Sequence, residues 1–366
     1  MKGSVRIARV AGIDIGVHWT FWLLIAFFVF HSVSAGADVV QTFRVVAYVM
    51  ALFLCVVLHE LGHALTARRF GVQTKDITLL PIGGMARLNR IPDKPIEELL
   101  IAVAGPLVNV VIAAMLAVVI VALGIPVEIS TAPGGGMMFS SILVNLAFVN
   151  VFLVVFNMLP AFPMDGGRVL RSLLAMGMAF DKATDIAARV GGVMAFLFAA
   201  LALVTWNPIL FFIALFVFIG GQAESHAAQT RYALKGLRVR DAMMTEFHTL
   251  TRDQPLSDAI DLLLAGSQQD FPVLDGDRIA GVLTRKALLS AVKHRGLEQS
   301  VGEAMDPSAQ AIDAQAPLGA VLERLQGGGA SLPVLDQGRL VGLLSAENIG
   351  ELLLLRDAGL SAHRPA

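Results

Sequence analysis

Cysteine is almost missing from this chain, and Cys55 is its only representative. A single thiol excludes an intrachain disulfide and a cysteine-built zinc cluster, and its apolar neighbours mark it as a small buried side chain. Charge is scarce as well. Asp, Glu, Lys and Arg make up 16% of the residues, well below the quarter or so usual in soluble domains. With 56% hydrophobic residues and a mean hydropathy of +0.71, a protein embedded in a membrane is the first reading. The formal net charge of −1 gives no bulk attraction to nucleic acid, and none is expected as a partner. Lysine and arginine are absent altogether from two stretches, 36–43 and 125–136, and that absence becomes informative once the membrane spans are laid out.

Six apolar stretches have span-like composition: Trp19 to Ala35, Val45 to Ala67, Leu99 to Leu123, Met137 to Met158, Ala187 to Thr205 and Ile209 to Gly220. The small residues Ser34-Ala35-Gly36-Ala37 resemble a signal cleavage site, but the long basic region before the first stretch and the interfacial placing of Trp19 and Trp22 favour an uncleaved helix. The sixth stretch is short, so a single helix kinked at Pro208 competes with two separate ones. With six spans, the basic segments 2–9, 68–94, 168–189 and 231–240 fall on one side and the two stretches without cations on the other. The positive-inside rule then puts both termini in the cytoplasm, in a multi-pass protein of the cell (inner or plasma) membrane. Residues 1–17 read as an amphipathic strand pair. The apolar run Asp76 to Leu88 is too short and too broken by Pro81, Gly83 and Gly84 to span, and reads as a hairpin or re-entrant element.

The chemistry is concentrated in the second span, where Val56 to Ala64 spells V-V-L-H-E-L-G-H-A. At about 100° per residue, positions four apart lie one above the other, so His59 and His63 share a helix face. Two imidazoles begin a zinc site, and Glu60 beside them can take a proton from water. Ionisable groups inside hydrocarbon are costly and usually functional. A catalytic zinc needs one more protein ligand. Asp165, on the broken turn Asn157 to Arg168, is the best candidate, and a helix N-cap is its competing role. Asn109, after the Gly105-Pro106 pair, is a polar group expected to face inward.

Residues 236–366 carry the mixed charge of an ordinary soluble domain, and they contain a repeat. Val239 to Met243 matches Val301 to Met305, Phe271 to Asp275 matches Leu332 to Asp336, and Gly281 to Thr284 matches Gly342 to Ser345. Each copy reads as a helix, two short strands and a second helix, an α/β module of about 60 residues. The expected organisation is a membrane domain over 1–225, a linker over 226–238, and two modules over 239–298 and 299–358.

Three motifs in this order, His59-Glu60-x-x-His63, Gly105-Pro106-x-x-Asn109 and Asn157-x-x-Pro160-x-x-Pro163-x-Asp165-Gly166, resemble the site-2 protease family of intramembrane zinc metalloproteases. The similarity covers nearly the whole chain and is closest to the branch with tandem cystathionine-β-synthase (CBS) domains. The resemblance implies a polytopic α-helical membrane domain of about six spans with short β-hairpins, followed by a soluble α/β tandem CBS domain. It implies that His59, His63 and Asp165 ligate one Zn2+ per chain and that Glu60 is the catalytic acid/base. Asn109, Asn157, Gly83 and Gly84 match positions that orient substrate. The substrate it suggests is a single-span membrane protein, such as an anti-sigma factor or similar regulator, cut by regulated intramembrane proteolysis. A non-catalytic transporter or metal-dependent receptor gated by the CBS pair is the alternative, and an intact Glu60 speaks against it. In the tail, Thr284 and Ser345 occupy nucleotide-binding positions. The acid expected three residues later to hold a ribose is replaced by Ala287 and Asn348. Adenine nucleotides are therefore expected to bind weakly or not at all, and pairing of two chains through the CBS domains, or docking of substrate on them, gains weight.

Overall fold

The computed structural model describes residues 3–81, 83–88, 94–127, 129–131, 137–139, 141–326 and 330–357. It divides into two compact units, Met1–Ala228 and Gln229–Ala366.

The first unit opens with β1 (Ser4–Val10), β2 (Ile13–His18) and α1 (Trp19–Ser34), then α2 (Val39–Arg69). Next come β3 (Thr74–Leu80), β4 (Gly83–Leu88) and α3 (Pro95–Ala122). A hairpin of β5 (Ile129–Thr131) and β6 (Met137–Phe139) precedes α4 (Ile142–Asn157), α5 (Asp165–Ala175), α6 (Phe180–Thr205) and α7 (Pro208–Ala233). Four of these helices, α2, α3, α6 and α7, are long and apolar enough to cross a membrane. The shortest have 26 residues, about 39 Å at 1.5 Å per residue, against a hydrocarbon core of about 30 Å. Helices α1 and α4 are apolar but have 16 residues each.

Local chemistry explains where these helices begin and end. Asp38 caps α2 by accepting from the backbone of Gln41 at 2.7 Å, while the Gln41 side chain accepts from Asp38 at 3.2 Å, a reciprocal box that satisfies two orphan donors. The fourth apolar stretch starts later than its composition suggests, because Met137–Phe139 pairs with Ile129–Thr131. Helices α6 and α7 are separate rather than one kinked rod. Trp206 takes a left-handed conformation (φ 50°) that ends α6, and the Asn207 side chain accepts from Ile209 N at 3.0 Å just after it. Helix α7 then runs past Gly220, so the stretch read as a linker, 226–238, begins inside a helix.

One sheet, in the order β1-β2-β3-β4, lies against this bundle. Strands β2 and β3 are parallel, and β3 and β4 form an antiparallel hairpin. Ile15 and Val17 of β2, Ile77 and Leu79 of β3, and Phe53, Val57 and Leu61 of α2 are buried together. This core fixes the hairpin to the side of α2 that adjoins Glu60, while the histidines project from a different side of the helix. Strand β4 is left as a sheet edge.

In the second unit the first copy comprises α8 (Val239–Ala242), β7 (Leu250–Thr251), α9 (Leu256–Ala265), β8 (Phe271–Asp275), β9 (Arg278–Leu283) and α10 (Arg285–Arg295). The second repeats it as α11 (Val301–Ala304), β10 (Ile312–Asp313), α12 (Leu318–Gln326), β11 (Leu332–Asp336), β12 (Arg339–Leu344) and α13 (Ala346–Asp357). The two copies exchange their opening helices. Val239 and Ala242 of α8 are buried in the second copy's core, and Val301 of α11 in the first copy's. Backbone pairing follows the same exchange, Met244 with Leu343 and Val282 with Asp306.

Candidate metal centre

One turn apart on α2, His59 and His63 bring their Nε2 atoms to 3.0 Å from each other. Oδ2 of Asp165 stands 3.2 Å from each of them. All three residues are more than nine-tenths buried. Asp165 is the first residue of α5, Met164 holds the cap position, and no side chain caps that end. Its carboxylate faces the histidines and does not cap the helix.

Partners on a neighbouring helix settle which ring nitrogens carry protons. His63 Nδ1–H donates to the Ile101 carbonyl at 2.7 Å, and His59 Nδ1–H donates to Asn109 Oδ1 at 2.6 Å. Both acceptors lie on α3. A proton on Nδ1 leaves the lone pair on Nε2. Two imidazole lone pairs and a carboxylate oxygen then converge at 3.0–3.2 Å, an arrangement of acceptors that repels itself unless a cation lies among them. Tetrahedral ligands about 2.0–2.1 Å from zinc lie about 3.3 Å apart, so the donor set and its spacing suit that ion. The same backing partners are what metal-binding histidines commonly have.

Gly105 makes the cradle possible. A Cβ there would lie 2.2 Å from His63 Nε2 and 2.7 Å from His59 Nε2, so only glycine lets α3 approach the imidazoles. Gly84 plays the matching part for the hairpin, since a Cβ there would lie 2.6 Å from Glu60 Cγ.

His59, Glu60, His63 and Asp165 line a cavity of about 500 Å³ together with Gly83, Gly84, Asn157 and Arg168. Asn109 is placed differently from the substrate-facing role its position suggests. It is fully buried, and both ends of its amide are taken by protein: Oδ1 by His59, and Nδ2 by donation to Asn150 Oδ1 at 2.9 Å. Asn150 in turn donates to the Leu146 carbonyl at 2.8 Å. Sequence reading missed Asn150, although a polar residue in the middle of an apolar span is a signal for it. Among the described residues, His59, His63 and Asp165 are the group with metal-like spacing.

In the tail, Thr284 caps α10 by accepting from Ala287 N at 3.1 Å. The Ser345 hydroxyl donates to Asn348 Oδ1 at 2.9 Å and accepts from Asn348 N at 3.2 Å. Ser345 and Asn348 line a cleft of about 610 Å³ whose walls, among the described residues, carry Asp241, Glu246, Asp270, Glu347 and Glu351 and no lysine or arginine. Thr284 lies outside that cleft.

The fold and the site together define a membrane-embedded metallopeptidase. A sequence model of peptidase family M50 matches residues 47–127 and 121–198, and the CBS domain model matches 239–294 and 301–354. Zinc metalloprotease MJ0392 of Methanocaldococcus jannaschii is 34% identical over 283 residues, covering 77% of this chain and 78% of the relative. Rip3 of Mycobacterium tuberculosis is 28% identical over 378 residues, covering 96% and 93%. Among solved structures, the site-2 protease from Methanocaldococcus jannaschii is 36% identical, with a TM-score of 0.44, covering 61% of this chain and 95% of that one. The chain belongs to peptidase family M50, with a CBS domain pair after its membrane part, and it is an intramembrane zinc metalloprotease.

Proposed function

We propose that this protein cuts a peptide bond within or near the membrane segment of a single-span membrane protein, a regulator such as an anti-sigma factor. In this reading His59, His63 and Asp165 hold one zinc and Glu60 moves the proton. The observation that carries it is the convergence of two Nε2 atoms and one carboxylate oxygen at 3.0–3.2 Å in the cavity that Glu60 also lines.

Zinc, when bound, supplies Lewis acidity, which lowers the pKa of water towards about 7 and polarises a peptide carbonyl. Glu60 accepts the proton that water gives up and returns it to the leaving amine, one group serving as base and then acid. Asn109 holds the His59 ring at the angle its Nε2 needs. Asn157, Gly83 and Gly84 face the space where substrate lies. A helical peptide bond hides its carbonyl, so the substrate must be unwound before it reaches Glu60. Strand β4 supports that step, since among the described residues it is an edge of its sheet and Gly83 to Ala86 line the cavity, a place for an extended chain to add as a further strand. A purely structural or transport metal needs the three ligands and not the base, so Glu60 in the same cavity favours catalysis over a gated transporter or receptor.

The depth of the site follows from α2. His59 and His63 lie within about ten residues, roughly 15 Å of helix, of Arg68 and Arg69. With both termini in the cytoplasm, the cut falls in the cytoplasmic half of the membrane. For the tail we assign pairing of chains or substrate docking, since the acidic cleft and the occupied Ser345 and Thr284 hydroxyls suit a polyphosphate poorly. The test of the reading is to map the broken bond. Purified protein and a single-span substrate are reconstituted in liposomes, and the products are sized by mass spectrometry. Scission inside the apolar segment or at its cytoplasmic border is expected. Scission confined to an outer soluble flank would refute the reading.

A further inference from the structure

The three candidate ligands come from only two elements, α2 and α5, and α5 has just 11 residues. Something must hold this short helix at the right reach, and six residues after Asp165 the structure has an unusual group. Arg171 is 2% exposed. Its Nε donates to Glu98 Oε1 at 3.1 Å, its Nη2 donates to the same oxygen, and its Nη1 donates to Glu224 Oε1. Its guanidinium carbon lies 5.0 Å from the Phe162 ring centroid and 4.8 Å from that of Phe180. One side chain thus joins α5 to α3, to α7, to the loop before Asp165 and to the first turn of α6. A lysine could not make these contacts together, since an ammonium has no planar fork and no flat face to stack.

Glu98 sits one turn before Ile101, the residue whose carbonyl aligns His63, on the helix that also supplies Asn109 and Gly105. Helix α3 therefore references both halves of the centre, the histidines through Ile101 and Asn109 and Asp165 through Glu98 and Arg171. On the far side, α7 seats the loop. Val217 is buried with Ala161 and Met164, and a Cβ on Gly220 would lie 2.5 Å from Pro163 Cδ. Arg171 stands about 9 Å along the helix from Asp165. A tilt of about 10° about Arg171 would carry Asp165 about 1.6 Å. A metal site tolerates about 0.2 Å in its ligand distances.

We propose that Arg171 is a positioning residue for the metal centre: by tying α5 to Glu98 and Glu224 it sets the reach of Asp165 to His59 and His63. This rests on the reading of those three residues as metal ligands. The test measures metal rather than proteolysis, on the purified full chain in detergent. Arg171→Met strands two carboxylates and can fail to fold, so it is paired with Glu98→Gln. Zinc affinity is read by competition with a chelator, and ligand geometry by the visible spectrum of the cobalt(II)-substituted protein. The double variant should lose at least about tenfold in affinity and show a weakened, shifted cobalt band, with helicity and melting close to those of the parent. Arg171→Lys, which keeps the charge, should keep the fold and still show the weakened, shifted band. A double variant with parental affinity and spectrum would overturn the proposal. If the double variant does not fold, Glu224→Gln carries the same prediction at smaller amplitude, and an unchanged cobalt band there overturns it too. Asp165→Ala, run alongside, separates the two ideas. Loss of metal there with an unchanged double variant removes only the role of Arg171, whereas full metal in Asp165→Ala removes the ligand reading and the proposal with it.

Discussion

Asn109 stands directly behind His59, accepting its Nδ1 proton at 2.6 Å, while its own amide is held by Asn150. The hydrogen bond spans two membrane helices, and it fixes both the tautomer and the tilt of a ring whose other nitrogen faces Asp165.

Asn109→Ala should therefore weaken zinc binding by about 10–100-fold while leaving the fold intact, the range seen when such backing partners are lost. Asn109→Asp, which keeps the acceptor, should retain most of the affinity. Chelator competition measures both. Equal affinity in Asn109→Ala and the parent would return Asn109 to the substrate-facing role its motif suggests.

Gly105→Ala should be more damaging than its single methyl implies, because that methyl would lie 2.2 Å from His63 Nε2. Either α3 retreats or the ring turns away, and both break the triangle of donors. Metal content by elemental analysis should fall to a small fraction of the parent's, with circular dichroism unchanged. Full occupancy would contradict the close approach of α3.

Gly84→Ala touches the hairpin rather than the ligands. The added carbon would lie 2.6 Å from Glu60 Cγ, so Glu60 or β4 must shift by a good part of an ångström. A misplacement near 1 Å can cost about 100-fold in rate. Zinc content should stay at the parent level while turnover falls by one to two orders of magnitude, about what that displacement allows.

How far the sequence could be read depends on the range of the interactions. The pairing of His59 with His63 is set by helical spacing alone, so it was legible without any structure. Asp165 was half legible, because the prolines and glycines around it announce a break but not the direction of its carboxylate. Asn150 was visible only as a polar residue inside an apolar span, and its partners, like the roles of Glu98 and Arg171, were not legible. Each has its role only because α3, α4, α5 and α7 meet, and no local pattern encodes that meeting. Helix limits failed for a related reason. The fifth apolar stretch was read from Ala187, yet α6 begins at Phe180, and the charged Asp181, Lys182 and Asp185 form its first turns. In the tail, the repeat was visible but its exchange was not, since a repeat read in order assigns α8 to the copy it precedes and the core places it in the other.

The acidic cleft of the tail gives a prediction of its own. ATP and AMP should bind the full chain no more tightly than about 100 μM, about −5.5 kcal/mol, because five carboxylates and no cation line the space near Ser345. Calorimetry on the purified protein tests this, and low-micromolar affinity would show that the missing ribose-holding acid had been overweighted.

The central claim is that Glu60 moves protons beside a metal it does not hold, and one preparation tests it. Glu60→Gln protein is purified, its zinc is counted, and its cleavage of a single-span substrate is compared with that of the parent. The account predicts one zinc per chain in both and a loss of cleavage of about 100- to 10,000-fold in the variant, the usual worth of a positioned general acid/base. Cleavage by Glu60→Gln at the parental rate, with zinc retained, would contradict it.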